Sequence, residues 1–141
     1  MASAVKFEAL SEHLGTGVHN LHTGLVKILL SNDAPSAAAD AVKADLTSEH
    51  GTAGGYTAGG EDIQNTLSRT GGTTTVAAVD VVWTAVGTTI GPFRYVVAWN
   101  DTPTSPADPL ICYWDYGSAI TLQIGETFTA DFGASGLMTI V

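Results

Sequence analysis

A chain of 141 residues with 5 Lys and Arg against 14 Asp and Glu carries a net charge of −9, and its length favours one domain, 1–141. Only 13% of residues are charged while 45% are hydrophobic, which argues against intrinsic disorder. Five scattered basic residues cannot build the phosphate-neutralising stripe of a nucleic-acid binder, and the longest apolar run, around Leu25 to Leu30, contains Lys27 and is far short of the ~20 residues of a membrane-spanning helix.

The start, MASAVKFEALSEHLG, lacks an extended apolar core behind a basic segment, so no secretory signal is expected. The single Cys112 has no intramolecular partner, in keeping with a reducing cytoplasm. Phe7, Leu10 and Leu14 fall at helical spacing and predict a short amphipathic helix ending before Gly15, part of an N-terminal arm over 1–24 that packs on the body or on a partner. GLVKILLSND reads as a strand stopped by Asn32, Asp33 and Pro35. In the stretch that follows, the alanines permit a short helix near 36–46.

From Gly51 the texture turns to β-structure. HGTAGGYTAGGED, with five glycines in thirteen residues, is a surface loop. TTTVAAVDVVWTAVG alternates with Val79, Val81, Trp83 and Ala85 on one face, which predicts a strand. FRYVVAWN places Phe93, Tyr95, Val97 and Trp99 on one side and Arg94, Val96 and Ala98 on the other. Apolar groups on both sides predict a strand that is central or covered twice. DTPTSPADP holds three of the five prolines and interrupts the ladder. LICYWDYG resumes it, Ile120–Ile124 and Thr127–Phe132 read as a hairpin, and GLMTIV closes the chain as a paired strand. Short strands at near-regular spacing imply an all-β antiparallel sandwich or barrel, of which the sandwich is the expected architecture. The expected core is Val79, Val81, Trp83, Phe93, Tyr95, Val97, Trp99, Tyr113, Phe128 and Phe132, joined by Trp114 and by Arg94 and Asp115, with Arg94 either in an internal ion pair that fixes strand order or in a cation-π contact with a Trp or Tyr.

Candidate chemistry is sparse, and no catalytic, cofactor or metal residues are assigned. His19 and His22 could face together on a helix, but Gly17 and Gly24 bracket them and no acidic or Cys ligand lies near. GGYTAGG lacks the Lys and the following helix of a phosphate loop. Cys112, between Ile111 and Tyr113, has no basic neighbour to make a thiolate. Asp101, Asp108, Asp115, Glu126 and Asp131 crowd the C-terminal half. A small hydrolase built on paired carboxylates such as Asp115 and Glu126 is therefore the remotest reading. Trp99, Trp114 and Tyr116 could instead form a sugar platform, although aromatics in such strands are usually core.

IGPFRYVVAWNDT and DPLICYWDYGSAITLQIGETFTADF carry a resemblance, together with VHNLHTGLVKILLSNDAP and GYTAGGED. They resemble a family of small structural proteins of tailed bacteriophages and prophages, over about Val18 to Val141. The Ala-rich stretch Ser36 to Ala44 departs from that pattern. The resemblance implies a jelly-roll-like sandwich made in the host cytoplasm and placed on the capsid exterior as a decoration, or cement, protein. Its implied partners are the major capsid protein and further copies of itself, as a dimer or trimer. The alternative is a tail or fibre-associated, carbohydrate-binding module. In either case contacts are expected from the arm and the loops, at Phe7, Leu10, Leu14, Tyr56, Glu61, Asp62, Asp101 and Pro106.

Overall fold

A computed structural model describes residues 3–141, so the first two residues of the expected arm lie outside the described residues. The elements are β1 (Ala4–Lys6), α1 (Ala9–Gly15), β2 (Val26–Ser31), a single 3-10 turn (Lys43–Asp45), β3 (Glu61–Asp62), β4 (Thr66–Thr70), β5 (Thr73–Ala77), β6 (Val81–Thr84), β7 (Ile90–Asn100), β8 (Leu110–Leu122), β9 (Thr127–Ala130) and β10 (Met138–Ile140). They form a five-stranded sheet ordered β1-β8-β7-β2-β3, a three-stranded sheet ordered β10-β5-β4, and the ribbon β6-β9, all antiparallel. The fold is all-β. Sheets of five, three and two strands do not reproduce the two four-stranded sheets of a jelly roll.

The central strand is β7, paired with β2 on one side and β8 on the other. Val96 and Ala98 join Val26, Ile28 and Leu30 of β2 in a large apolar cluster, while Tyr95, Val97 and Trp99 join Leu29 in a smaller one. Alternate residues of a strand point to opposite faces, so the sheet is covered on both. The large cluster is closed by Val81 and Trp83 of β6, Ala130 of β9, Val76 of β5, Leu10 of α1, and Tyr56 and Ile63. Phe7 and Leu46 close the smaller one, in which Tyr113 of β8 stands beside Val97.

Five expectations are corrected by this arrangement. Phe93 lies in the large cluster, on the opposite side from Tyr95, because the register slips between them. Phe93 pairs with Ile120 and Tyr95 with Asp115, so Tyr116–Ala119 stand opposite Arg94 alone and bulge from β8. Gly117, at φ 85°, supplies the left-handed residue that this bulge needs.

TTTVAAVDVVWTAVG is two strands. Asp80 accepts the Phe132 N–H at 2.9 Å, Val79 donates its own N–H to Ile63 O, and the chain changes sheets there. Val79 consequently stands 51% exposed instead of in the core.

The expected hairpin over 120–132 does not pair with itself. Ile120 and Leu122 belong to β8 and pair with β7, whereas β9 pairs with β6. Between them Glu126 turns the chain, donating its N–H to Gln123 O and accepting the Gln123 N–H at its carboxylate.

The stretch near 36–46 forms the 3-10 turn and no α-helix. Its backbone is drawn to the start of β8 instead: Leu110 N–H donates to Ala41 O, Lys43 N–H donates to Asp108 O, and Val42 bridges Pro109. An alanine face buries too little area to compete with those bonds. The fifth correction concerns Arg94 and Asp115, whose pair is on the surface, with side chains 38% and 40% exposed.

Candidate contact surface

The glycine loop and the proline loop meet at one end of the five-stranded sheet, and Trp99 is the post between them. Its indole, 4% exposed, donates Nε1–H to Gly59 O at 3.0 Å. The ammonium groups of Lys27 and Lys43 lie 5.6 and 5.2 Å from the Trp99 ring centroid, within cation-π reach. Lys27 binds Asp101 at 2.8 Å and Lys43 binds Glu49 at 3.1 Å. Glu49 also accepts from the Tyr56 hydroxyl and from the Gly59 N–H. The loop is pressed so closely to β2 that a Cβ on Gly60, at φ 84°, would collide with the Ile28 carbonyl oxygen.

These bonds leave Glu61 and Asp62 exposed on β3. Among the described residues neither takes part in an ion pair, and Asp62 stands opposite Lys27 in the register with β2. Asp101, half-buried, is joined to the same Lys27, so the structure brings Asp62 and Asp101 together around that lysine, while Glu61, opposite Ile28, stands on the other face of the sheet edge. Pro106 is half-buried farther along the proline loop, next to the Thr104–Ala107 bridge.

Three expected contact residues are not on the surface. Phe7 and Leu10 are 0% and 1% exposed: the chain must bury its few large apolar groups, and both fill the clusters beneath the arm. Tyr56 is 1% exposed despite its glycine-rich setting. Its ring packs against Trp83 and its hydroxyl accepts the Leu30 N–H at 3.1 Å, while burial raises its pKa well above the ordinary phenol value. Leu14 is half-buried against the large cluster.

The aromatic platform is not available either. Trp114 is 3% exposed and packs on Phe132, and Tyr116 packs edge-on to Phe128. Four of the five C-terminal carboxylates are each taken up by a separate local bond: Asp101 to Lys27, Asp115 to Arg94, Glu126 to Gln123 and Asp131 to the Gly133 N–H. Burial pushes the Cys112 thiol up to about 12, so at neutral pH it stays protonated and unreactive. Among the described residues no group of three or more His, Cys, Asp or Glu is arranged to hold a metal.

A second surface was hidden from sequence reasoning. Val82 and Thr84 of β6 stand opposite Thr129 and Thr127 of β9, and all four are exposed. Val86 and Ile124, 67% and 65% exposed, flank the Gly125 N–H to Ala85 O bond at the end of the ribbon. The result is an outward face of β-branched side chains without charge. Only the β6-β9 pairing assembles it, and nothing local in the sequence announces that pairing.

No protein-family model, no curated protein and no solved structure matches the chain.

Proposed function

We propose that the chain is a tailed-phage head decoration protein, which binds the outer surface of the capsid shell and stabilises it by bridging neighbouring capsomers. The observation that carries this reading is the contrast between a sheet covered on both faces and the loop end fixed to it, where Glu61 and Asp62 stay exposed beside the Lys27–Asp101 pair. A rigid body that presents preformed loops binds with little ordering cost. Three of the five basic residues, Lys27, Lys43 and Arg94, are neutralised by carboxylates, so the acidic excess of the surface favours a basic patch on the partner. The resemblance of GPFRYVVAWNDT and DPLICYWDYGSAITL supports the same reading, since these stretches build β7, β8 and the adjoining proline loop.

The test is co-sedimentation of the purified chain with empty shells assembled from the phage's major capsid protein, followed by the melting temperature of the decorated shells. Saturable binding with a raised melting temperature is expected. The attachment rate should fall as salt rises from about 0.05 to 0.5 M, because the Debye length shrinks over that range. Replacing Glu61 and Asp62 by Lys should slow attachment further, and shells that neither bind the chain nor gain heat resistance would overturn the reading.

A further inference from the structure

The loop between α1 and β2 is tied to the body through two buried amides. Asn65 donates Nδ2–H to Leu21 O at 2.6 Å and accepts the Val26 N–H, while Asn100, with no solvent exposure, reaches His19. The direction of the second tie can be worked out. Asn100 Oδ1 accepts the Thr102 N–H at 3.1 Å, so its other end, 3.2 Å from His19 Nδ1, is the NH2 donor. His19 must therefore accept at Nδ1 and carry its proton on Nε2. That Nε2 is buried without a partner among the described residues, as is Nδ1 of His13, whose ring centroid is 5.9 Å from that of His19.

We propose that His19 and Asn100 form an acid-sensitive latch on the 17–24 loop: a proton taken up at His19 Nδ1 turns the acceptor into a donor facing the Asn100 NH2, and the loop is released. Turning the amide over does not rescue the contact, because its NH2 would then face the Thr102 N–H. Among titratable groups on the packed elements, His13 of α1 is the one that bears on His19, and it opposes the charge. His22 accepts the Leu67 N–H, Asp101 is held by Lys27, Arg69 of β4 donates to Gly71 O, and β10 carries no charged residue. Burial first, and His13 second, hold the His19 pKa down to about 4, against its ordinary 6.5.

The closed loop is consequently at full strength above pH 6.5, and its stability is lost as pH falls from there to about 4, since the open loop binds the proton more tightly. A hollow bounded by Leu14, Leu21, Leu67 and Ile140 already lies beside the closed loop, and release widens it and turns Leu21, now 4% exposed, toward water. Acid thus enlarges an apolar hollow at the margin of the core by adding Leu21 to its exposed lining.

The experiment is NMR on the full chain from pH 7.5 to 3.5, reading imidazole nitrogen shifts and amide exchange. A neutral His19 with its proton on Nε2 is expected, and loop amides from Val18 to Thr23 should lose protection by about tenfold per pH unit between 6.5 and 4. Amides of Val96 and Val97 should stay protected over the same range. His19→Gln should abolish the acid step, and His13→Gln should raise the His19 midpoint. A neutral His19 protonated on Nδ1, loop protection unchanged through the His19 titration, or loss of Val96 and loop protection together would each overturn the latch. The tautomer and titration are read on the unsubstituted chain, so the latch is tested even where a variant fails to fold.

Discussion

The two faces of the five-stranded sheet solve the same problem with different materials. On one, residues from β5, β6, β9 and α1 close over Ile28, Val96 and Ala98, so secondary structure covers secondary structure. On the other, Leu29, Val97 and Trp99, with Tyr113 beside Val97 in the same sheet, are covered by Phe7 and Leu46, with two lysine ammonium groups near the indole. A face roofed by strands has little room to relax when a side chain is removed, whereas a roof of loop segments and flexible stems can settle into the gap. Burial alone does not reveal the difference: Ile28 and Leu29 are neighbours on β2, both at 0% exposure.

Those two residues offer the strongest test of the contrast. Ile28→Ala should destabilise the fold by about 4–5 kcal/mol and Leu29→Ala by about 2–3 kcal/mol, the upper and lower parts of the range for such truncations. Urea unfolding of both variants would measure it. Equal losses, or a larger loss at Leu29, would mean that the smaller cluster is as stiff as the large one.

A smaller effect is expected from the roof of the second face. Trp99→Phe keeps an aromatic ring but removes the Nε1–H bond to Gly59 O and weakens the attraction to Lys27 and Lys43. The loss should be about 1–2 kcal/mol, read as a lower urea midpoint at unchanged slope. Protection of the Gly59 and Gly60 amides should fall before that of β7, because the indole anchors the loop to the sheet and not the sheet to itself. A variant with the midpoint and loop exchange of the parent chain would remove Trp99 from the role of post.

This division of labour is only partly readable in the sequence. FRYVVAWN carries apolar groups on both sides of a period-two pattern, and that is enough to place β7 in the middle of a doubly covered sheet. The slip that moves Phe93 to the other side is set by the bulge in β8, a long-range match that no local pattern contains. The same reason hides the break at Asp80, whose carboxylate caps a backbone group 52 residues away. Tyr56 reads as loop because its neighbours are glycines. Its burial comes from Leu30 and Trp83, which fold beneath it. At the contact surface, Glu61, Asp62 and Asp101 are readable as loop carboxylates, but the approach of Asp62 to Asp101 depends on Lys27, opposite the first and bonded to the second.

The smallest expected effect concerns the one ion pair that the sequence singles out. Arg94 and Asp115 meet through two bonds, 2.7 and 3.1 Å, yet both side chains are more than a third exposed, so solvent screens much of their attraction. Asp115 also plays a second role, in which its Oδ1 accepts the Gly117 N–H at 2.8 Å and pins the bulge that sets the register. The two roles separate by substitution. Asp115→Asn keeps an oxygen for Gly117 and loses the charge, whereas Asp115→Ala loses both. If the bulge is the larger contribution, the Asn variant should melt close to the parent chain and the Ala variant clearly below it. The Arg94 bond, followed by the Gly117 N–H, holds the Asp115 carboxyl below its ordinary value of 3.8. The carboxylate's contribution is therefore present above that value and lost as pH falls through the lower, folded one. Melting curves between pH 7 and 2 should show the parent and the Asn variant converging at the acid end, where both are uncharged and both keep an acceptor for Gly117, while the Ala variant stays below them. An Asn variant as damaged as the Ala variant at neutral pH, with the parent falling to the level of both in acid, would assign the stabilisation to the pair of charges instead of the pinned bulge.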